Sequence, residues 1–181
     1  MRLSETPLLT NEQIQQRVAE MAAAISQDYA NREIVVVVVL KGSIIFASDL
    51  IRKITVPVSL EFIRAKSYSG MTAWQPPQIS MMPEQSLKDK HVLLVEDILD
   101  TGTTTALIEK RLTELEPESV ALAVLLDKPS RRRFHVDCEY TGFTIEDHFV
   151  VGYGLDLDEQ HRNLPNIYTV LDGKTPEESG R

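Results

Sequence analysis

The residues with the clearest chemical content lie in one short stretch, Val95-Glu96-Asp97-Ile98-Leu99-Asp100-Thr101-Gly102-Thr103-Thr104-Thr105. Its first half is acidic, with Glu96 and Asp97 followed closely by Asp100. Its second half is glycine and hydroxyls, running into a segment with helical spacing. The first N–H groups of a helix have no partner inside it and carry partial positive charge, which suits them to phosphate. Gly102 lets the main chain approach a ligand closely, and the threonine hydroxyls add donors. A phosphate cradle beside three acids repels most anions. A phosphorylated sugar suits both halves, because its phosphate takes the N–H groups and its hydroxyls take the carboxylates. A divalent cation would relieve the remaining repulsion.

Other phosphate motifs do not fit. Neither Gly42 nor Gly102 sits in a G-x-x-x-x-G-K-[ST] loop. Gly152 and Gly154 follow an apolar run but open onto Leu-Asp-Leu-Asp, which is no dinucleotide fingerprint.

The elements that must position these residues are legible as periodicities. Thr10 with Gln13 forms a capping-box pattern. Behind it Ile14, Val18, Met21, Ile25 and Tyr29 predict a helix over Asn11 to Tyr29. Ile34 to Leu40 is continuously apolar and β-branched, as in a strand covered on both faces. A helix over Ser43 to Lys53 and a strand over Val56 to Ile63 follow. His91 to Glu96 reads as a strand, Thr103 to Leu115 as a helix and Val120 to Asp127 as a strand. Phe149 to Val151 and Ile167 to Leu171 read as short strands. Strands alternating with helices predict an α/β fold, a mainly parallel central sheet flanked by helices. Such sheets bind ligands at the carboxyl ends of their strands, so the loops after Leu40, Glu96, Asp127 and Val151 are where a site belongs.

Composition sets outer limits. The chain has 181 residues, 43% hydrophobic and 25% charged, which suits a single domain over residues 1–181. Cys138 is the only cysteine, so no disulfide can form within the chain. The four histidines show no metal-binding spacing. A net charge of −8 argues against nucleic acid or an anionic membrane as partner. The longest apolar run is too short to span a bilayer. No signal-peptide pattern opens the chain, and a single thiol fits a cytoplasmic location. The tail from Asp172 to Arg181 reads as frayed.

Val95 to Thr105 resembles the phosphoribosyl pyrophosphate-binding motif of the type I phosphoribosyltransferases. Leu40-Lys41-Gly42, Arg64 to Tyr68, Leu126 to Pro129 and Phe149 to Asp156 stand in the order and spacing of the branch acting on 6-oxopurines. The resemblance implies that fold, with a small hood built from the terminal segments. It implies transfer of a ribose 5-phosphate group from phosphoribosyl pyrophosphate to N9 of hypoxanthine or guanine, with Mg²⁺ as cofactor and a homo-oligomeric assembly, dimer or tetramer. By the same resemblance, Glu96 and Asp97 hold the ribose hydroxyls directly or through metal, and Asp100 is the general base at purine N7. Thr101, Gly102, Thr103, Thr104 and Thr105 cradle the 5′-phosphate. Lys41 and Gly42 bind pyrophosphate on a turn that in the family often has a cis peptide. Lys128 donates to the purine 6-oxygen, Phe149 stacks on the base and Val150 offers main-chain groups. Asp156 is the magnesium ligand, Arg162 binds pyrophosphate, and Ser67 and Tyr68 belong to a mobile lid. Two alternatives stand beside this reading: a xanthine-preferring enzyme, and a nucleotide-sensing RNA-binding regulator on the same fold. Arg131-Arg132-Arg133 reads as a solvated basic turn and Cys138 as a partly buried thiol. Trp74, in the lid segment, receives no role.

Overall fold

A computed structural model describes residues 2–66 and 77–171. The elements run in chain order as α1 (Asn11–Asp28), β1 (Ile34–Leu40), α2 (Ile44–Ile51), β2 (Val58–Lys66), β3 (Gln78–Met81), β4 (His91–Leu99), α3 (Thr103–Thr113), β5 (Ser119–Asp127), β6 (Tyr140–Thr144), β7 (Val150–Val151) and β8 (Tyr168–Thr169). A 3₁₀ turn, Pro129–Arg131, follows β5.

Capping begins α1 as the sequence predicts. The Thr10 side chain accepts from the Gln13 amide, and Gln13 reaches back to the Thr10 N–H at 2.8 Å. The apolar face of the helix, from Ile14 to Ile25, is buried. β1 is buried through Val39, as its uninterrupted apolar sequence requires. Ile34, Val36 and Val38 join the core under α1 and α2. Val35, Val37 and Val39 join a second core shared with Ile108 and Leu112 of α3. The sheet is therefore the middle layer of three.

The main sheet has the order β3-β2-β1-β4-β5-β6. Every pair is parallel except β2 with β3. The chain goes from β1 to β2 on one side, then returns to β4 on the other side of β1. Strand order thus reverses between β1 and β4, and the loops leaving their carboxyl ends diverge around a crevice.

Several boundaries differ from expectation. β4 runs on to Leu99, so Glu96 and Asp97 lie inside the strand and not at its end. Phe149 to Val151 does not supply a fifth strand of the main sheet. Val150 and Val151 instead pair antiparallel with β8 in a separate two-stranded sheet. The strand beside β5 is β6, where Gly142 is obligatory because a Cβ there would strike the Leu125 carbonyl. The small sheet is the hood. Leu9 bridges to Ile167 and Leu3 to Val170, tying both terminal segments into it.

Candidate active site

A cavity of about 620 Å³ opens where β1 and β4 diverge. The turn after β1, the end of β4, the start of α3 and the loop after β7 all contribute to its walls. Arg131 brings in the segment after β5, so every loop the architecture singled out reaches this space.

The floor is acidic. Glu96 is buried, and Thr105 donates its hydroxyl to Glu96 Oε2 at 2.7 Å. Burial raises the Glu96 pKa to about 8, with the charges of Asp97 and Glu109 acting in the same direction. Asp97 is raised to about 6 by burial, against N–H donation from its own and the Ile98 amide. Thr105 is itself buried, and its hydroxyl is committed to Glu96. A ligand phosphate would therefore meet its main chain.

Gly42 is required by Asp97. A Cβ at Gly42 would overlap the Asp97 carboxylate. Gly154, at φ +101°, is held in turn by the Gly42 carbonyl, which leaves no room for a side chain. Two turns far apart in sequence, 40–42 and 152–156, are thereby stacked at one corner of the cavity. The Leu40–Lys41 peptide is cis. Lys41 Nζ lies 2.9 Å from Glu159 Oε1 on the surface.

The opposite wall is the start of α3. Gly102 caps it at φ +80°, and a Cβ there would sit 2.8 Å from the Phe134 carbonyl oxygen. Thr101 and Thr103 share a hydroxyl contact at 3.1 Å. The Thr101 carbonyl accepts from the Arg133 and Phe134 amides, which fastens the loop from behind. Residues 101–105 and the acids Glu96 and Asp97 line the same cavity.

Asp156 and Arg162 pair at 2.8 Å on the cavity wall. Arg162 also donates to the Gly154 carbonyl at 2.8 Å. Asp100 stands past the end of β4, with Arg131 Nε 3.0 Å from its Oδ1. Lys128 is buried at the end of β5, and burial lowers the pKa of its ammonium. Phe149 is half-buried and Val150 buried, both at the hood. These three do not wall the 620 Å³ cavity; Lys128 is joined to the Asp147 side, just before Phe149, at 3.8 Å. Ser67, Tyr68 and Trp74 lie outside the described residues.

Arg131 to Arg133 require a correction. This is no solvated turn, because Arg131 and Arg133 wall the cavity and Arg132 pairs with Asp127. A run of three arginines carries no local sign of this. Their partners, Asp100 and Asp147 for Arg131 and Asp127 for Arg132, come together only in the fold.

The donor set suits a hard cation. Glu96, Asp97 and Asp156 offer carboxylate oxygens to one space. Among the described residues no group of three or more potential ligands converges to hold a metal alone. That fits an ion taking much of its coordination from substrate oxygens and water, as Mg²⁺ does.

A three-layer, mainly parallel fold with a glycine-threonine helix start and two adjacent acids in one cavity at its switch point has the architecture of the phosphoribosyltransferases. The model of the phosphoribosyl transferase domain matches residues 4–158, and the chain belongs to that family. Within it, a hypoxanthine phosphoribosyltransferase of Haemophilus influenzae is 43% identical over 168 residues, 91% of this chain and 94% of the relative. A hypoxanthine-guanine phosphoribosyltransferase of Staphylococcus epidermidis is 43% identical over 90% of this chain and 92% of its own. The crystal structure of a hypoxanthine-guanine phosphoribosyltransferase from Bacillus anthracis superposes with a TM-score of 0.88 at 39% identity, covering 94% of this chain and all of that one.

Proposed function

We infer that this chain is a purine-salvage enzyme, a hypoxanthine phosphoribosyltransferase. It moves the 5-phosphoribosyl group from phosphoribosyl pyrophosphate to N9 of hypoxanthine, and of guanine, giving IMP or GMP and pyrophosphate. One observation carries the reading: the start of α3, the buried Glu96 and the half-buried Asp97 share a single cavity with Asp156 and Arg162.

The sugar's 5′-phosphate seats on the amides of residues 101–105 and the hydroxyls of Thr101, Thr103 and Thr104. Its 2′- and 3′-hydroxyls meet Glu96 and Asp97. Lys41, Gly42 and Arg162 receive the pyrophosphate. Asp156, with Glu96 and Asp97, would hold Mg²⁺, which offsets pyrophosphate charge when bound. The bond from C1′ to pyrophosphate oxygen breaks as the bond from C1′ to N9 forms. Asp100 accepts the N7 proton, so the purine attacks as a more electron-rich nucleophile. Lys128 donates to the purine 6-oxygen; its buried ammonium gains most when an acceptor arrives. That preference disfavours adenine, whose 6-amino group is a donor. Phe149 stacks on the base and Val150 presents main-chain groups to its 2-position edge.

No observation favours the xanthine-preferring or RNA-binding alternatives. No helix among the described residues is long and apolar enough to cross a membrane; a cytoplasmic location is proposed. A homo-oligomer is also proposed, and sedimentation tests it against a 20.4 kDa protomer.

The decisive test is turnover with phosphoribosyl pyrophosphate, Mg²⁺ and each purine. Hypoxanthine and guanine should react well ahead of xanthine and adenine. Asp100→Asn should keep its affinity for the sugar donor while kcat falls about 10²–10⁴-fold. Full activity in that variant removes Asp100 from the mechanism.

A further inference from the structure

Arg131 makes two acidic contacts at once. Its Nε lies 3.0 Å from Asp100 Oδ1, and its Nη1 lies 3.2 Å from Asp147 Oδ2 and 3.4 Å from Oδ1. On the far side of Asp147, Lys128 Nζ stands 3.8 Å from Oδ1. Asp100, Arg131, Asp147 and Lys128 therefore form one alternating chain of charges, from the end of β4 to the end of β5. The backbone fixes its span: the Arg131 amide donates to the Lys128 carbonyl at 3.1 Å, across a turn that Pro129 stiffens. The Lys128 amide donates to the Leu99 carbonyl at 3.0 Å, so this turn is also tied to the residue before Asp100.

We propose that Arg131 is a positioning residue for Asp100, with Asp147 as the anchor that sets Arg131 and Lys128 in one frame. The inference rests on the reading of Asp100 as base and Lys128 as purine contact. The guanidinium donates to Asp147 through Nη1 while its Nε lies in ion-pair range of Asp100, so one cation bridges the two carboxylates. The Asp100 carboxylate is thereby paired with the turn that also carries Lys128. A purine must meet both groups, one at N7 and one at its 6-oxygen. Their separation is then set before the base arrives, and rate depends on it because small misplacements of a catalytic group are costly.

The test is a double-mutant cycle on the full chain with saturating phosphoribosyl pyrophosphate. Arg131→Met should lower kcat about 10–100-fold, with the KM for the sugar donor nearly unchanged. In the Asp100→Asn background the same substitution should cost nothing more, because Arg131 acts through Asp100. Arg131→Lys keeps the charge without a guanidinium broad enough to meet both carboxylates and should recover only part of the rate; it also stands in should Arg131→Met fail to fold. Asp147→Asn should lower kcat in the same direction by a smaller factor.

Equal losses in both backgrounds, unchanged kcat in Arg131→Met, or full rescue by lysine would overturn the positioning role. Unaltered kinetics in Asp147→Asn would overturn the anchor. If Asp100→Asn alone were fully active, the base assignment itself would fall, and this inference with it. A collapse of Asp100→Asn beside an unaffected Arg131→Met would reject the inference alone.

Discussion

Glu109 stands on α3 with the carboxylates of Glu139 and Asp137 acting on it. Burial, and then those two charges, push its pKa up to about 7 from an ordinary 4.5. The consequence for stability has a definite sign. Between these two values the folded protein keeps a proton that the unfolded chain releases, so stability falls as pH rises and levels off above about 7. Glu109→Gln removes the titration. Its melting temperature should match wild type near pH 4.5, exceed it increasingly toward pH 7, and hold that margin at pH 8. In a chain of this size each kcal/mol recovered appears as about 2–4 °C. Thermal melts across that range check it, and a margin independent of pH would mean the carboxyl ionises freely in the folded state. Glu96 and Asp97 are raised by the same cause, burial.

At the scale of elements, the strands that touch the core were readable and those that close its edges were not. β1 announces itself because both of its faces are buried, and α1 because its cap and stripe agree. β3 is a four-residue edge strand, largely exposed, with no alternation to read. β6 reads Tyr-Thr-Gly-Phe-Thr and is only half-buried. Its place is fixed by close approach to β5 at Gly142, a tertiary demand that local sequence does not show. The site divides the same way. Gly102 and the threonines were legible because a helix start has its own chemistry. The packing of Gly42 against Asp97, and of Arg131 against Asp100, depends on which strands become neighbours. The start of α3 supplies a direct test. Gly102→Ala forces an L side chain to φ +80° and against the Phe134 carbonyl. The left-handed conformation costs about 1–2 kcal/mol, and the amides of residues 103–105 move with it. The KM for phosphoribosyl pyrophosphate should rise at least about tenfold, a displacement effect. Steady-state kinetics with varied sugar donor would show it, and an unchanged KM would mean the phosphate is held elsewhere.

For the whole molecule, residues 3–9 and 167–171, near either end of the described chain, meet in the hood. Ser4 donates to the Thr169 carbonyl and Leu8 to that of Ile167, both at 2.8 Å. Ile167 returns a bond to the Leu9 carbonyl at 2.9 Å, and Val170 donates to the Phe149 carbonyl at 2.8 Å. The hood that carries Phe149 and Val150 is therefore sewn shut by segments more than 150 residues apart in sequence. Its apolar residues Leu9, Val150 and Ile167 join the core under α1 and α2, with Ile167 fully buried, whereas Ile108 and Leu112 of α3 join the core on the other face of the sheet. The phosphate turn is fastened separately, through Thr101 and the residues after Arg132. Two subsites held by different parts of the fold should fail separately. Ile167→Ala leaves a cavity in the hood and should cost about 2–5 kcal/mol of stability. Because Phe149 and Val150 lose support while residues 101–105 do not, the KM for hypoxanthine should rise several times more than the KM for phosphoribosyl pyrophosphate. Gly102→Ala should show the reverse ratio. Measuring both constants in both variants gives a crossed pattern if the hood and the helix start are independent. Parallel changes in the two variants would mean that the subsites are coupled through the sheet and share a single packing unit.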